Sequence, residues 1–435
     1  MSSGHNPFII NSKNPEHSRV VKRNSSEKRF RSLGFLAIMI SISFLGFLLF
    51  TIFSKGITGF ITTKIQLELP IEAEIDKYEG DNIEEIYAKL NYRKIVNQAL
   101  MKIFPDAQTR REKFDLYSML SRTAYIQAEN LVIQDYKESG IIRNVNVWLT
   151  AASEVDMLNK GKVRTDVPEN KRNISDNQIE YVKKLEKINA IESFFNKAFF
   201  TKGDSREAES AGILGSITGS LFVIFICMVA ALPLGIAAAI YLEEFAPASR
   251  LKTVVEIAIN NLAAIPSIVY GLLGLAVFLN WFGMPRSSAM AGGLTLGLLV
   301  LPVIIIATRN ALAAVPPSIR DAARGLGASK MQVVFHHVLP LSMPGIMTGS
   351  ILSLARALGE TAPLLMIGMV AFIKDVPQDV MDPATALPVQ VYIWSDLPEM
   401  GFAEKTSAAI IVLLLFLVAA NALAVFLRKK FEYKW

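Results

Sequence analysis

Residues 318–340 have the sequence SIRDAARGLGASKMQVVFHHVLP, a polar break between two long apolar runs. Two prolines precede it, and proline favours the first turn of a helix. Ala322 and Ala323 would leave a low-relief face on that helix, which another protein surface can approach closely. Gly327 predicts the end of the helix and a turn, because glycine adopts backbone conformations closed to other residues. A second short helix should then end at Pro340. Its apolar positions, which we expect to lie against the membrane domain, are Val333, Val334 and Val338.

Six apolar runs surround this break and are each long enough to cross a bilayer, which needs about 20 residues of helix. The chain of 435 residues is 51% hydrophobic and 19% charged, whereas soluble domains are about a quarter charged. These values exclude a single soluble globule. The single cysteine, Cys227, lies in an apolar run and excludes an intrachain disulfide or a cysteine-based zinc site. The predicted spans are Gly34–Phe53, Gly212–Tyr241, Val254–Leu279, Met290–Ala307, Gly345–Phe372 and Ser407–Leu427.

More than half of the charged residues fall within residues 57–208, which predicts a soluble domain inserted between the first two spans. Helical spacing follows Asp81-Asn82 and Ser175-Asp176, and Ile141–Leu149 alternates as a strand does. We therefore expect an α+β domain, with docking or spacing favoured over catalysis. The domains are a tail (1–33), the first span (34–54), the insertion (57–208), a core (212–427, with the polar break at 309–342) and a second tail (428–435).

The lysines and arginines predict the orientation of the spans. The first 33 residues contain seven basic and two acidic residues, and the chain ends in a second basic tail. Two cytoplasmic ends require an even number of spans, in agreement with the six predicted. The short loops assigned to the other side then contain few basic residues, as the positive-inside rule requires. The inserted domain would lie outside the cytoplasm. Nucleic-acid binding is not favoured, because the basic residues lie beside apolar segments.

The fifth predicted span contains Arg356 and Glu360, although a charge inside a bilayer is costly. Their spacing of four residues would let them neutralise each other on one helical face. Ser353 lies on the same face. Arginine suits oxyanions, so this stripe predicts either a translocation pathway or an ion pair that tightens helix packing. Of these two interpretations, we favour the translocation pathway.

A second stripe of small and polar residues lies along the third predicted span, where Pro266 should bend the helix. Close packing of helices would explain Gly271 and Gly274. Asn260 and Ser267 are the better candidates for the pathway. No catalytic residue and no metal-ligating cluster is predicted, and His336 and His337 are interpreted as interfacial. The chain also contains no Walker motif, so it should not hydrolyse ATP itself.

The polar break resembles the EAA loop of ABC-importer permeases, whose pattern appears here as Asp321-Ala322-Ala323, Gly327 and Leu339-Pro340. Aspartate replaces the usual glutamate, and His337 occupies a usually aliphatic position. In that family the loop forms a coupling helix that enters a cleft of the ATPase subunit. The resemblance implies that Asp321, Ala322, Ala323 and Gly327 are the coupling residues.

Three further segments resemble phosphate-specific ABC permeases, and the PstA type in particular. They are residues 233–247 in the second span, 264–272 in the third and 355–364 in the fifth. The resemblance implies an all-α type I ABC-importer fold of six transmembrane helices, extended here by the inserted α+β domain. It also implies roles for Arg356 and Glu360 in phosphate passage.

The resemblance further implies a place for the chain in an ATP-driven phosphate importer of the bacterial inner membrane. Its partners would be a homologous permease of the PstC type, two ATPase subunits and an extracytoplasmic phosphate-binding protein. The chain would bind no cofactor, and the partner subunits would use ATP. Two alternatives stay open: a permease for another oxyanion, such as sulfate or molybdate, and a membrane-anchored sensor with an extracytoplasmic domain.

Overall fold

The computed structural model describes residues 15–75, 87, 89–140 and 143–431. It divides into two units, with the boundary between Ser54 and Lys55. The first unit contains most of helix α1 (Pro15–Gly56). Large apolar side chains such as Phe35, Ile38 and Phe44 are exposed along it. A helix of 42 residues is about 60 Å long, twice the thickness of a bilayer core. The predicted span is therefore one part of a longer helix.

The region between α1 and the next long helix, which we call the inserted region, is built on a three-stranded antiparallel sheet. The strands are β1 (Ile61–Leu69), β2 (Val145–Thr150) and β3 (Ile191–Phe195), in the order β2-β1-β3. Ile65 pairs with Leu149 on one side and with Ile191 on the other. These three side chains are buried, so one face of the sheet forms the core of the region.

Helices cover that apolar face. The other face, which includes Lys64 and Trp148, contacts the side chain of Gln127 through Thr150. The strand predicted within Ile141–Leu149 is confirmed from Val145 onward. The helix predicted after Ser175 is also confirmed, and Ser175 caps it in a capping box with Gln178. The helix start predicted at Asp81-Asn82 lies outside the described residues. The helices are α2 (Glu72–Ile75), α3 (Tyr92–Ile103), α4 (Arg110–Tyr117), α5 (Ala124–Ser139), α6 (Ser153–Asn159), α7 (Asp176–Lys187) and α8 (Lys197–Thr201).

The remaining helices follow the inserted region in the chain and belong to the second unit. Within the described residues, five segments are long and apolar enough to cross a membrane, or six if one bent pair counts as a span. Helix α9 is followed by a π-turn (Tyr241–Phe245), and α11 by another (Leu275–Trp281). The helices are α9 (Leu214–Ile240), α10 (Arg250–Ala263), α11 (Ser267–Gly274), α12 (Ala289–Ala313), α13 (Pro317–Gly325), α14 (Lys330–Gln332), α15 (Leu339–Gly359), α16 (Ala362–Met366), α17 (Leu387–Ser395) and α18 (Met400–Phe431).

The predicted third span, Val254–Leu279, is not one continuous helix. Helices α10 and α11 meet at an angle of 102°. The break falls just before Pro266, whose ring disfavours a helical conformation at the preceding residue. Pro266 itself has ψ of 137°, outside the helical range. The proline therefore separates two helices, where the sequence predicted only a bend.

The fifth span also differs from the prediction, which ran from Gly345 to Phe372. Helix α15 ends at Gly359, and Glu360 is extended. Pro363 explains this end, because it lacks the N–H that would bond the carbonyl of Gly359 in a continuing helix.

The polar break ends differently too, since Pro340 does not stop the second short helix. Helical structure runs from Lys330 to Gly359. A π-turn (Val333–Val338) lies directly before α15. Pro340 is then in the first turn of α15, where a missing N–H is tolerated.

Candidate functional site

Arg356 and Glu360 lie at the end of α15, at the junction with α16. Nε of Arg356 is 3.5 Å from Oε1 of Glu360, and the two side chains are 37% and 20% exposed. The predicted ion pair is therefore present, but its two residues do not share a continuous helix. The other N–H donors of the guanidinium form no hydrogen bond with a described residue. An arginine in this state can still bind an oxyanion.

Ser353 lies one turn before Arg356 and is fully buried. Its hydroxyl donates to the carbonyl of Gly349 at 2.9 Å. Gly349 itself contacts α12 closely, because a Cβ added there would lie 2.3 Å from the Cβ of Ala307. The face of α15 that contains Ser353 therefore packs against α12, and the hydroxyl has a partner within its own helix.

Ser267 and Asn260 lie on opposite sides of the 102° break. Ser267 begins α11 and is partly exposed, whereas Asn260 is exposed on α10. The hydroxyl of Tyr270 donates across the break to the carbonyl of Leu262 at 2.8 Å. The structure thus places Ser267 and Asn260 on two separate helices, and the continuous stripe predicted for them is not formed.

Helix α11 packs directly against α16, which brings residues 264–272 of the third predicted span next to residues 355–364 of the fifth. A Cβ added to Gly271 would lie 2.7 Å from Cα of Pro363. One added to Gly274 would lie 2.2 Å from Oγ1 of Thr295. Both glycines therefore permit close helix packing, as predicted for them. Pro363 lies in the first turn of α16, so α11 forms one side of the junction between α15 and α16 that contains Glu360.

The polar break forms helix α13, a turn at Gly327 and the helical run that leads into α15. Gly327 has φ of +87°, a left-handed conformation that favours glycine. Asp321 and Ala322 are exposed, whereas Ala323 is buried. The apolar side chains expected to lie against the membrane domain do so: Val333, Val334 and Val338 pack with Leu312 and Val315. His336 and His337 are exposed.

Sequence reasoning missed the role of Arg320, the residue before Asp321. Its guanidinium donates to Oε1 of Glu244 at 2.7 and 3.2 Å. It also donates to the carbonyls of Val315 at 2.6 Å and Leu312 at 2.9 Å. Both charged side chains are largely buried. Arg320 therefore joins α13 to the end of α12 and to the π-turn after α9.

Arg309 forms a second link at the same end of the bundle. It contacts Glu243 at 3.3 Å and Glu256 at 2.7 Å. Arg309 therefore connects α12 to the π-turn after α9 and to α10. The signal that could have predicted these pairs is Glu243-Glu244 directly after an apolar run, with two arginines after the fourth span.

Two parts of the chain match described families. Residues 231–433 match the binding-protein-dependent transport system inner membrane component. Residues 17–169 match a domain of unknown function, DUF3333. The first match contains the bent helix pair, the polar break and the Arg356 region.

Individual relatives match about half of this chain and most of their own length. Phosphate transport system permease protein PstA 1 of Mycobacterium tuberculosis is 32% identical over 228 residues, 52% of this chain and 74% of the relative. Phosphate transport system permease protein PstA of Yersinia pestis is 34% identical over 221 residues, 50% and 74% of the two chains. The probable ABC transporter permease protein YqgI of Bacillus subtilis is 30% identical over 250 residues, 53% and 84%. A solved structure of the MetNI methionine ABC transporter is 18% identical with a TM-score of 0.40, covering 51% of this chain and 95% of its own.

Proposed function

Because the chain belongs to the ABC transporter permease family that includes the PstA proteins, we propose that it is a transmembrane subunit of an ATP-driven inorganic phosphate importer. The observation that carries this proposal is the identity of about a third to phosphate transport system permeases, over about three quarters of their length. The matched half of this chain contains both Arg356 and the polar break. The protein is a multi-pass membrane protein, and we place it in the bacterial inner membrane.

The pathway that we propose passes the guanidinium of Arg356. A half-buried guanidinium with one long contact to Glu360 can exchange that contact for a phosphate oxygen. Ser267, Asn260 and Ser353 are further candidates for the pathway. Ser353 has the weakest support, because its hydroxyl already bonds the backbone of α15.

The coupling site that we propose is the exposed side of α13, with Asp321 and Ala322, together with Ala323 and the turn at Gly327. An exposed helix that is joined through Arg320 to two spans can pass a displacement to both of them. Two ATPase subunits would bind this side of the assembly and would use ATP, so that this chain would have no catalytic residue.

The complete importer would also contain a homologous permease of the PstC type and an extracytoplasmic phosphate-binding protein. The distribution of lysine and arginine supports an orientation with both termini in the cytoplasm. In that orientation α13 faces the ATPases, and the inserted region lies on the side from which phosphate arrives.

Uptake of labelled phosphate at low external phosphate tests this function, in cells that lack the chain and in cells that regain it. We expect uptake to fall and to return, with no effect of excess sulfate or molybdate. Unchanged uptake, in cells without a redundant phosphate system, would contradict phosphate as the substrate. Inhibition by sulfate or molybdate would instead favour the alternative, a permease for another oxyanion.

A further inference from the structure

A cavity of about 540 Å³ lies in the inserted region, between the face of the sheet that includes Lys64, helix α5 and the segment around α8. Trp148 and Phe194, on the two outer strands, form apolar walls. Its polar lining includes Thr62, Lys64, Asn196 and Lys202. The cavity is far from α13 in the sequence, and the proposed transport function does not use it.

Two buried polar groups in the lining of this cavity have no hydrogen-bond partner among the described residues. The side chain of Asn196 is 2% exposed; its Oδ1 accepts from the backbone N–H of Phe199, but its Nδ2 has no acceptor. Thr62 is 5% exposed, and its hydroxyl is also unpaired. Buried donors without a partner cost about 1 to 3 kcal/mol each. Two such groups in the wall of one cavity indicate a ligand that accepts hydrogen bonds.

The charges around the cavity favour an anion. Lys64, Lys197 and Lys202 line it, and none of them forms an ion pair with another described residue. Burial and the nearby charge of Lys197 lower the pKa of Lys64, as expected for cations that lack a counter-ion. Two carboxylates near the cavity could offset the positive charge of these lysines: Glu192, opposite Lys64 on β3, and Glu209 in the lining. Burial raises the pKa of Glu209 to about 7, so this group is only partly charged at neutral pH.

The cavity is next to the end of a membrane span. The carbonyl of Lys202 accepts from the N–H of Leu214, the first residue of α9, at 3.1 Å. Phe195 and Phe200 stack beside it with ring centroids 5.8 Å apart, and Phe195 is 61% exposed. Exposed aromatic rings together with lysines are typical of the interface between membrane and water. Phospholipid headgroups are therefore within reach of the cavity.

We propose that this cavity binds a phosphate group, held by Lys64, Lys197 and Lys202 and by the unpaired donors of Asn196 and Thr62. The group is supplied by the headgroup of an anionic phospholipid or by free phosphate. The apolar walls and the position beside α9 suit an amphiphile. Inorganic phosphate would use the same donors.

Trp148 provides the probe for the test. The full chain is placed in phosphatidylcholine nanodiscs that contain either brominated phosphatidylglycerol or brominated phosphatidylcholine. Subtraction of the signal of Trp148→Phe isolates the fluorescence of Trp148 from that of the other tryptophans. In a second arm, inorganic phosphate is titrated in the absence of brominated lipid.

Two variants and one control decide the outcome. Lys64→Gln removes a cation, and Asn196→Asp removes the free donor and adds a negative charge but keeps the oxygen that bonds Phe199. Each should weaken binding at least tenfold, the effect of one charge-assisted hydrogen bond. Lys137→Gln, at an exposed position of α5, should leave binding unchanged.

Stronger quenching by the anionic lipid, weakened in both variants, would support the phospholipid. A phosphate-dependent change with the same pattern would support free phosphate. The proposal is overturned if the two lipids quench equally and phosphate has no effect, or if Lys64→Gln binds like the unchanged chain.

Discussion

Substitution of Arg356 distinguishes a role in phosphate translocation from a role in helix packing. Its contact with Glu360 is long and its guanidinium is half-buried, so it contributes little as a structural ion pair. We predict that Arg356→Ala lowers phosphate uptake at least tenfold, the effect of one hydrogen bond between charged groups. Assembly should be unaffected, as measured by co-purification of the partner subunits. Arg286→Ala, an exposed arginine in a loop, is the matched control. Normal uptake in Arg356→Ala would assign the residue to packing.

Glu209 gives a prediction for the dependence of stability on pH. Burial raises its pKa from 4.5 to about 7 in the folded protein. The folded state therefore binds the proton more tightly than the unfolded state does, and this contribution to stability is present below pH 4.5. It is lost as the pH rises through about 7. We predict that Glu209→Gln, which stays neutral, raises the Tm of the full chain above pH 7. The corresponding increase in unfolding free energy is on the order of 1 to 3 kcal/mol. An equal Tm for both proteins at every pH would show that Glu209 ionises as an exposed glutamate does.

At the level of the helices, Arg320 joins α13 to two spans, and we propose that this link passes a movement of α13 to them. Removal of one partner from a buried ion pair typically costs about 3–5 kcal/mol, so Arg320→Met should destabilise the chain. The double variant Arg320→Met/Glu244→Leu should recover most of the lost Tm, because no unpaired charge remains and only the hydrogen bonds to the carbonyls of Val315 and Leu312 are missing. We predict that the double variant still binds the ATPase but has reduced phosphate uptake for each ATP hydrolysed.

Asp321→Lys is the variant to compare with the Arg320 variants, because it changes the exposed side of α13. It should weaken co-purification of the ATPase while the Tm stays constant. A double variant with normal uptake for each ATP hydrolysed would show that Arg320 only stabilises the fold.

The sequence predicted the type of each element better than its ends. The first short helix of the polar break, the left-handed turn at Gly327 and the buried valines could be predicted, because proline, glycine and apolar spacing act locally. The ends of helices around Pro266 and Pro363 could not, because a proline inside an apolar run can either bend a helix or end it. Which outcome occurs depends on neighbouring helices that satisfy the freed backbone groups. The pairs of Arg320 and Arg309 join residues far apart in the sequence, so local patterns did not predict them.

For the whole molecule, a buried charge network connects the inserted region to the last long helix. The ammonium of Lys160 contacts Asp156 at 2.6 Å and Glu404 at 3.1 Å, and Lys162 also pairs with Glu404. The hydroxyl of Thr58 donates to the same carboxylate. The inserted region is therefore fixed to α18 by contacts between buried charges.

Loss of Lys160 should weaken this connection. Lys160→Met leaves Asp156 and Glu404 short of one cation, at a cost of about 3 kcal/mol. We predict a lower Tm and faster proteolysis within the inserted region of the full chain. Lys187→Met, at an exposed position of α7, should change neither. Equal proteolysis of the two variants would show that the ion pairs of Lys160 are not needed to hold the region in place.

The pairing of Ile61 with Phe195 also bears on how such a chain can evolve. The polypeptide enters the inserted region on β1 and leaves it on β3, and these neighbouring strands bring entry and exit to the same point. A domain whose two ends are adjacent can be exchanged as a unit, since its replacement does not alter the spacing of the flanking segments. The position between α1 and α9 is therefore a natural acceptor for unrelated folded modules, in evolution or by protein engineering. A new module would need to replace the inherited contacts with α18, which include a cation for Glu404.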